Sequence, residues 1–138
     1  MIPKFRAWNK EWKSMLNADD VWIIDFQSRC IQYDVDEYVM CIVDFKDIHL
    51  MQSTGMNDKN GVEIFDGDIV KVEVPNTAMS GIYGVRQFRS GAWRIDRRTD
   101  GRELWLTVED AEVIGNIYEN KELTDNLWWL DDKNLLGK

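Results

Sequence analysis

A chain of 138 residues is long enough for one domain, or two very small ones, to bury a modest core without disulfide staples. With 44% hydrophobic residues, among them seven Trp, four Tyr and five Phe, it carries too much apolar and aromatic surface for a disordered chain. Its formal charge of −8 opposes nonspecific nucleic-acid binding, because the mean field of the protein repels a duplex before contact.

The N-terminal "MIPKFRAWNKEW" is charged from Lys4 onward and has no continuous apolar run. It therefore predicts neither a signal peptide nor a membrane anchor, and a cytosolic protein. "PKFRAWNKEWKSML" predicts a hairpin turning around Asn9-Lys10-Glu11, with Phe5 and Ala7 alternating against Arg6 and Trp8. "VWIIDF", "CIQY", "YVMCIVDF" and "IHLMQST" follow as four further strands, rich in β-branched and aromatic residues and separated by charged breaks. Cys30 and Cys41 sit inside these runs without CxxC spacing or histidine-rich surroundings, so they read as buried free thiols and not as zinc ligands or a disulfide. His49, the only histidine, shares a strand face with Asp47 and Met51, and Ser53 lies four residues further along it. A strand rise of ~3.3 Å per residue puts His49 and Ser53 ~13 Å apart, too far for a catalytic triad, so His49 is expected to be a half-exposed strand residue.

The segment "QSTGMNDKNGVEIFDGDIVKV", residues 52–72, turns the chain twice. Asn60-Gly61 predicts a type I′ hairpin turn, with positive φ at both residues. Asp66-Gly67-Asp68 predicts a left-handed Gly67 while a carboxylate accepts nearby backbone N–H groups. Asp58, Asn60 and Gly61 match three positions of a calcium loop, but its first and last positions fall on Met56 and Gly67, so no metal site is expected. Val70, Val72 and Val74 then alternate with Lys71 and Glu73 until Pro75 ends the run. "IYGVRQFR", "AWRIDR" and "ELWLTV", joined at Ser90-Gly91 and Thr99-Asp100-Gly101, predict a meander whose last strand sets Leu104, Leu106 and Val108 on one face. "AEVIGNIY" closes the series, with Gly115 marking a bend or a close backbone approach, and five strands at this spacing suit a small barrel. In the tail, Leu123, Leu127 and Leu130 share a helical face and predict a short C-terminal helix. One helix face does not bury both Trp128 and Trp129, so the pair is expected to find a second surface, on the chain's own barrel or on another subunit of a homo-oligomer.

Charge is unevenly spread. Six of the eight arginines lie between residues 86 and 102, where Asp96 and Asp100 alone oppose them; the window carries +4 and the remainder −12. A candidate binding surface follows, made of Arg86, Arg89, Trp93, Arg94, Arg97, Arg98 and Arg102, which would meet nucleic-acid phosphates while Phe88 or Trp93 stacks on a base. The favoured alternative pairs these arginines with acidic groups of their own chain or of a neighbouring subunit, and strand alternation prevents all six from projecting together. A third reading has the acidic remainder imitate nucleic acid and bind a basic host protein. No P-loop, dinucleotide fingerprint, G-x-S-x-G or H-E-x-x-H is present, so no catalytic residue and no cofactor is expected.

"IPKFRAWNK", "MQSTGMNDKNGVEIFDGDIVK" and "EVIGNIYEN" resemble, in that order, three signatures of the YopX family, small proteins encoded by bacteriophages and prophages; the resemblance spans residues 2 to about 120. It implies a mostly β protein with an irregular β-rich N-terminal part and a C-terminal SH3-like small barrel following the double turn. Residues 1–60, 61–120 and the helical tail 121–138 are the expected parts. The resemblance brings no activity and no site residues. The expectation is a non-enzymatic binding or assembly module in the cytoplasm of a bacterial host, partnered by its own copies or by a host or phage protein, with nucleic acid disfavoured by charge and no membrane contact.

Overall fold

In the computed structural model, which describes residues 3–36, 39–125 and 127, the N-terminal hairpin forms as β1 (Phe5–Asn9) and β2 (Ser14–Leu16), with Ala7 opposite Leu16. Its turn is closed by a side chain: the Oδ1 of buried Asn9 accepts the N–H groups of Glu11 (3.0 Å) and Trp12 (2.9 Å). Lys13 completes it at φ 51, a left-handed residue that no glycine announces. β3 (Val21–Asp25), β4 (Cys30–Asp36) and β5 (Val39–Asp44) form a separate three-stranded antiparallel sheet in that order. The β3–β4 turn repeats the device, with Asp25 Oδ1 accepting from Gln27 and Ser28 and Arg29 at φ 56. β6 (Ile48–Asn57) returns along β1, pairing Phe5 with Gln52 and Asn9 with Ile48. Ala7, Ile31, Tyr33 and Ile48 make the core here, flanked by Leu16, Val21, Ile24 and Val43. Cys30 and Cys41 are half-buried free thiols, as the sequence predicts in kind but not in depth.

The chain divides after Ser53 into two compact units, residues 1–53 and 54–138, so the end of β6 opens the second unit. There Thr54 Oγ1 donates to the Ile64 carbonyl (2.8 Å) of β7 (Glu63–Phe65). The intervening turn is not the predicted type I′: only Gly61 (φ 81) has positive φ, Gly61 N–H bonds to the Asp58 carbonyl (3.0 Å), and Asp58 N–H bonds to that of Val62 (2.8 Å). Asp58 decides this geometry. Its Oδ1 gathers the N–H groups of Asn60 (2.8 Å) and Val62 (2.9 Å), and residues 59 and 60 stay out of the positive-φ region, leaving Gly61 to close the loop.

At the second turn Gly67 stands at φ 84, as predicted; its N–H bonds to the Val85 carbonyl (3.0 Å), its carbonyl accepts from Ile117 (2.9 Å), and Asp68 Oδ2 takes the N–H of Phe65 (2.8 Å). β8 (Asp68–Val72), β9 (Gly81–Gln87), β10 (Trp93–Asp96), β11 (Gly101–Glu103) and β12 (Ala111–Asn116) form a five-stranded antiparallel sheet in the order β11-β10-β9-β8-β12. β8, the inner strand between β9 and β12, buries apolar residues on both faces. Val70 and Val72 join Ile64, Tyr83, Val85, Ile95 and Leu104 in the main core, while Ile69 packs with Ile117 and Leu127 on the other side. The alternation of valines against Lys71 and Glu73 shows only the first of these faces.

"ELWLTV" corrects the sequence reading. β11 ends at Glu103, and Leu104–Leu106 and Val108–Asp110 are single 3-10 turns, so Leu104 is fully buried while Leu106 is exposed. Buried Thr107 drives the turn, since its N–H (2.9 Å) and hydroxyl (3.0 Å) both donate to the Leu104 carbonyl. This bend returns the chain so that Ala111 meets Val72. The register of β12 slips between Val113 and Gly115, where a Cβ would lie 2.4 Å from Asn120 Oδ1, the close approach that Gly115 signals. Of the expected C-terminal helix, Lys121–Leu123 forms one 3-10 turn and Leu127 is buried; Trp128, Trp129 and Leu130 lie outside the described residues.

Candidate functional site

The arginine-rich window is the hairpin of β9 and β10 with β11 beside it. Arg86 and Arg94 are cross-strand partners and converge on Asp96, which lies on the same face two residues after Arg94. Arg86 Nε is 2.9 Å from Asp96 Oδ2 and Arg94 Nη2 is 3.3 Å from Oδ1. Both guanidinium groups also lie over the Phe88 ring, at 5.1 and 4.4 Å from its centre. Gly101 pairs with Asp96 across β10 and β11, and a Cβ there would lie 1.6 Å from Asp96 Oδ1, so the missing side chain makes room for this ion pair.

Arg97 belongs to the scaffold. Its Nε lies 2.5 Å from Asp100 Oδ1, its Nη1 and Nη2 donate to the carbonyls of Ser80 (2.9 Å) and Ala78 (2.8 Å), and its guanidinium covers the Tyr83 ring at 4.5 Å. One side chain thus pins the 76–80 loop. The hydrogen bond from Arg97 first, and its charge with that of Arg102 last, hold the Asp100 carboxyl below its ordinary value, although burial opposes the shift. Arg102 Nη2 reaches the same carboxylate at 3.2 Å, and Arg98 Nε donates to the Asp125 carbonyl (2.8 Å). Trp93 is half-buried against the main core, and Arg89 stands exposed in the turn between Phe88 and Ala92. Of the seven predicted surface residues, then, four arginines share two aspartates, Trp93 packs inward, and only Arg89 and Arg98 are exposed.

The N-terminal unit also carries an open groove of about 350 Å³ between the β1–β2 turn and β5. Asn9, Glu11 and Trp12 supply one wall, Cys41, Ile42, Val43 and Asp44 the other, with Tyr33 and Asp47 completing it. Trp12, 58% exposed, meets water beside it, and Ile42, 66% exposed, lines it from β5 with its side chain on the face opposite to Cys41 and Val43. Tyr33 is buried; that burial first, and Cys41 second, push its phenol above its ordinary value. Its ring is a neutral part of the groove at physiological pH. Glu11, Asp44 and Asp47 are among the residues that line the groove, and the Lys10 ammonium lies close by on the Lys46 carbonyl (2.9 Å). On the outer face of the β3–β5 sheet, Trp22, Ile23, Met40 and Ile42 are exposed as well, with Trp22 Nε1 donating to Asp34 Oδ2 (2.5 Å).

These residues escaped the sequence reading because they come from four separate elements. One signal was present: in "YVMCIVDF" both parities are apolar, Met40 and Ile42 as well as Cys41 and Val43, whereas one core can cover only one face of a strand. Among the described residues there is no group of three metal-ligating side chains, and Asp58 spends its second oxygen on the N–H of Val113 (2.8 Å). His49 is half-buried, as predicted; burial first, and the charge of Lys10 second, hold it below its ordinary value.

A family model described as YopX protein matches residues 4–125. Among solved structures, protein EF1440 from Enterococcus faecalis is 30% identical, with 91% of this chain and 99% of that chain covered and a TM-score of 0.62. Protein yopX from Bacillus subtilis is 26% identical, with 87% and 96% covered and a TM-score of 0.63. No curated protein matches.

Proposed function

The chain belongs to the YopX family, and from that premise we propose that it is a non-enzymatic binding module of a phage or prophage, acting in the bacterial cytoplasm and taking its partner on the N-terminal unit. The observation that carries this reading is the groove beside β5, where Trp12 and Ile42 stay exposed next to carboxylates. In the C-terminal unit the order β12-β8-β9-β10-β11, with 3-10 turns before the returning strand, supports an SH3-like barrel serving as a scaffold. The share of four arginines in Asp96 and Asp100 weighs against a nucleic-acid ribbon, and the −12 outside residues 86–102 favours a basic protein partner. The full chain is tested by capture from lysogenic host cells with and without nuclease, beside a Trp12→Ala, Ile42→Ser variant. A protein partner retained after nuclease and lost by the variant is the expected result. Capture that nuclease abolishes would replace this reading with the nucleic-acid one, and capture of nothing would remove it.

A further inference from the structure

β5 is an edge strand, because β4 is its only neighbour in its sheet among the described residues. The ladder to β4 shows which of its backbone groups are open. Phe45 N–H donates to the Arg29 carbonyl (2.8 Å), and antiparallel pairs alternate between bonded and non-bonded, so Val43/Ile31 and Cys41/Tyr33 are the bonded pairs. The N–H and C=O groups of Met40 and Ile42 therefore point away from β4. Along most sheet edges such groups are guarded by lysines, prolines or a bulge. β5 carries no lysine or proline, the register shift of its ladder lies at Asp34–Asp36 opposite Met40 and Val39, and beyond it exposed Ile42 lines the groove.

Resting on the binding-module reading above, we propose that this edge takes an extended peptide segment of a basic partner protein, which adds as a fourth strand to β5 and sets a Lys or Arg side chain in the groove. Backbone hydrogen bonds to Ile42 supply the attachment, and the groove supplies the choice of side chain. Glu11, Asp44 and Asp47 surround the place of the cation, and the exposed Trp12 offers it an aromatic face. Asp44 precedes a 3-10 turn without capping it, so its carboxylate is not committed there. Lys10 of the hairpin turn donates its ammonium to the Lys46 carbonyl (2.9 Å). The same charges argue against a second copy of this chain: pairing β5 with its own equivalent would bring two sets of these carboxylates together.

The probe is a library of nine-residue peptides with a fixed central residue, Arg in one set and Glu in the other, selected on the full chain and followed by fluorescence anisotropy of the enriched sequence. Enrichment from the Arg set alone is expected, with apolar residues at alternate positions. Ile42→Pro removes one outward N–H and no bond to β4, so it should keep the melting temperature and weaken binding at least tenfold. Glu11→Gln, Asp44→Asn, Asp47→Asn together should weaken it as much and flatten its salt dependence. Equal enrichment of both sets, unchanged affinity in Ile42→Pro, or no enrichment overturns the proposal. If cellular capture by the parent persists equally with Ile42→Pro, this edge fails while the binding-module reading stands; if the parent captures nothing, both fall.

Discussion

Replacing Asp58 by alanine should be among the most damaging single changes in the C-terminal unit. The side chain is 6% exposed, and its two oxygens accept three backbone N–H groups, of Asn60, Val62 and Val113, the last 55 residues away. Asn60 and Val62 lie in an exposed turn where water replaces the carboxylate, so those two bonds together are worth about 0.5–1 kcal/mol. The bond to half-buried Val113 is charge-assisted and worth about 1.5–3 kcal/mol, for a total of about 2–4 kcal/mol. Asp58→Asn keeps one acceptor and turns an NH₂ group against a backbone N–H, so it should fall between alanine and the parent. Burial raises the Asp58 pKa, but the three N–H groups outweigh it and the folded value lies below the unfolded one. The contribution is therefore present above the ordinary carboxylate value of 3.8 and is lost as pH falls through the depressed folded value. Urea denaturation of parent, Asp58→Ala and Asp58→Asn at pH 7, 5, 4 and 2.5 measures this, with constant m-values. The gap between parent and Asn should be level from pH 7 to 5 and then narrow. An alanine cost under about 0.5 kcal/mol, or a gap undiminished at the lowest pH, would refute the reasoning. Calcium should leave the midpoints unmoved, since both oxygens already accept N–H groups.

Gly67→Val should cost about 1–2 kcal/mol, because a left-handed β-branched residue is strained, and a lowered melting temperature with unchanged far-UV dichroism checks it. Gly101→Ala should cost about 1–3 kcal/mol by pushing Asp96 from Arg86 and Arg94; adding Asp96→Ala should leave little further loss, which a double-mutant cycle reads. Titration of labelled duplex and single-stranded oligonucleotides at several salt concentrations should show no difference between the parent and Arg89→Ala, Arg98→Ala. A salt slope shallower by about 2 in the variant would restore the arginine hairpin as a phosphate-binding surface.

Local chemistry was legible in the residues themselves. Alternation placed β1 and β8, runs of β-branched and aromatic residues placed β4 and β6, and Gly67 announced its left-handed turn, because period, propensity and backbone freedom are properties of short stretches. Chain folding decided what short stretches do not contain. The Asn60-Gly61 pair took another turn because the Asp58 carboxylate captured its amides, and "ELWLTV" left the strand period because Thr107 bent the chain toward β8. The arginines were visible as a charge excess, yet only cross-strand register brings Arg86 and Arg94 to one aspartate and only the 76–80 loop explains Arg97. The groove belongs wholly to this second kind. Trp12, Tyr33, Ile42 and Asp47 line it because hairpin and sheet fold side by side within one unit, and Ile42 stays exposed there because one core covers only one face of β5.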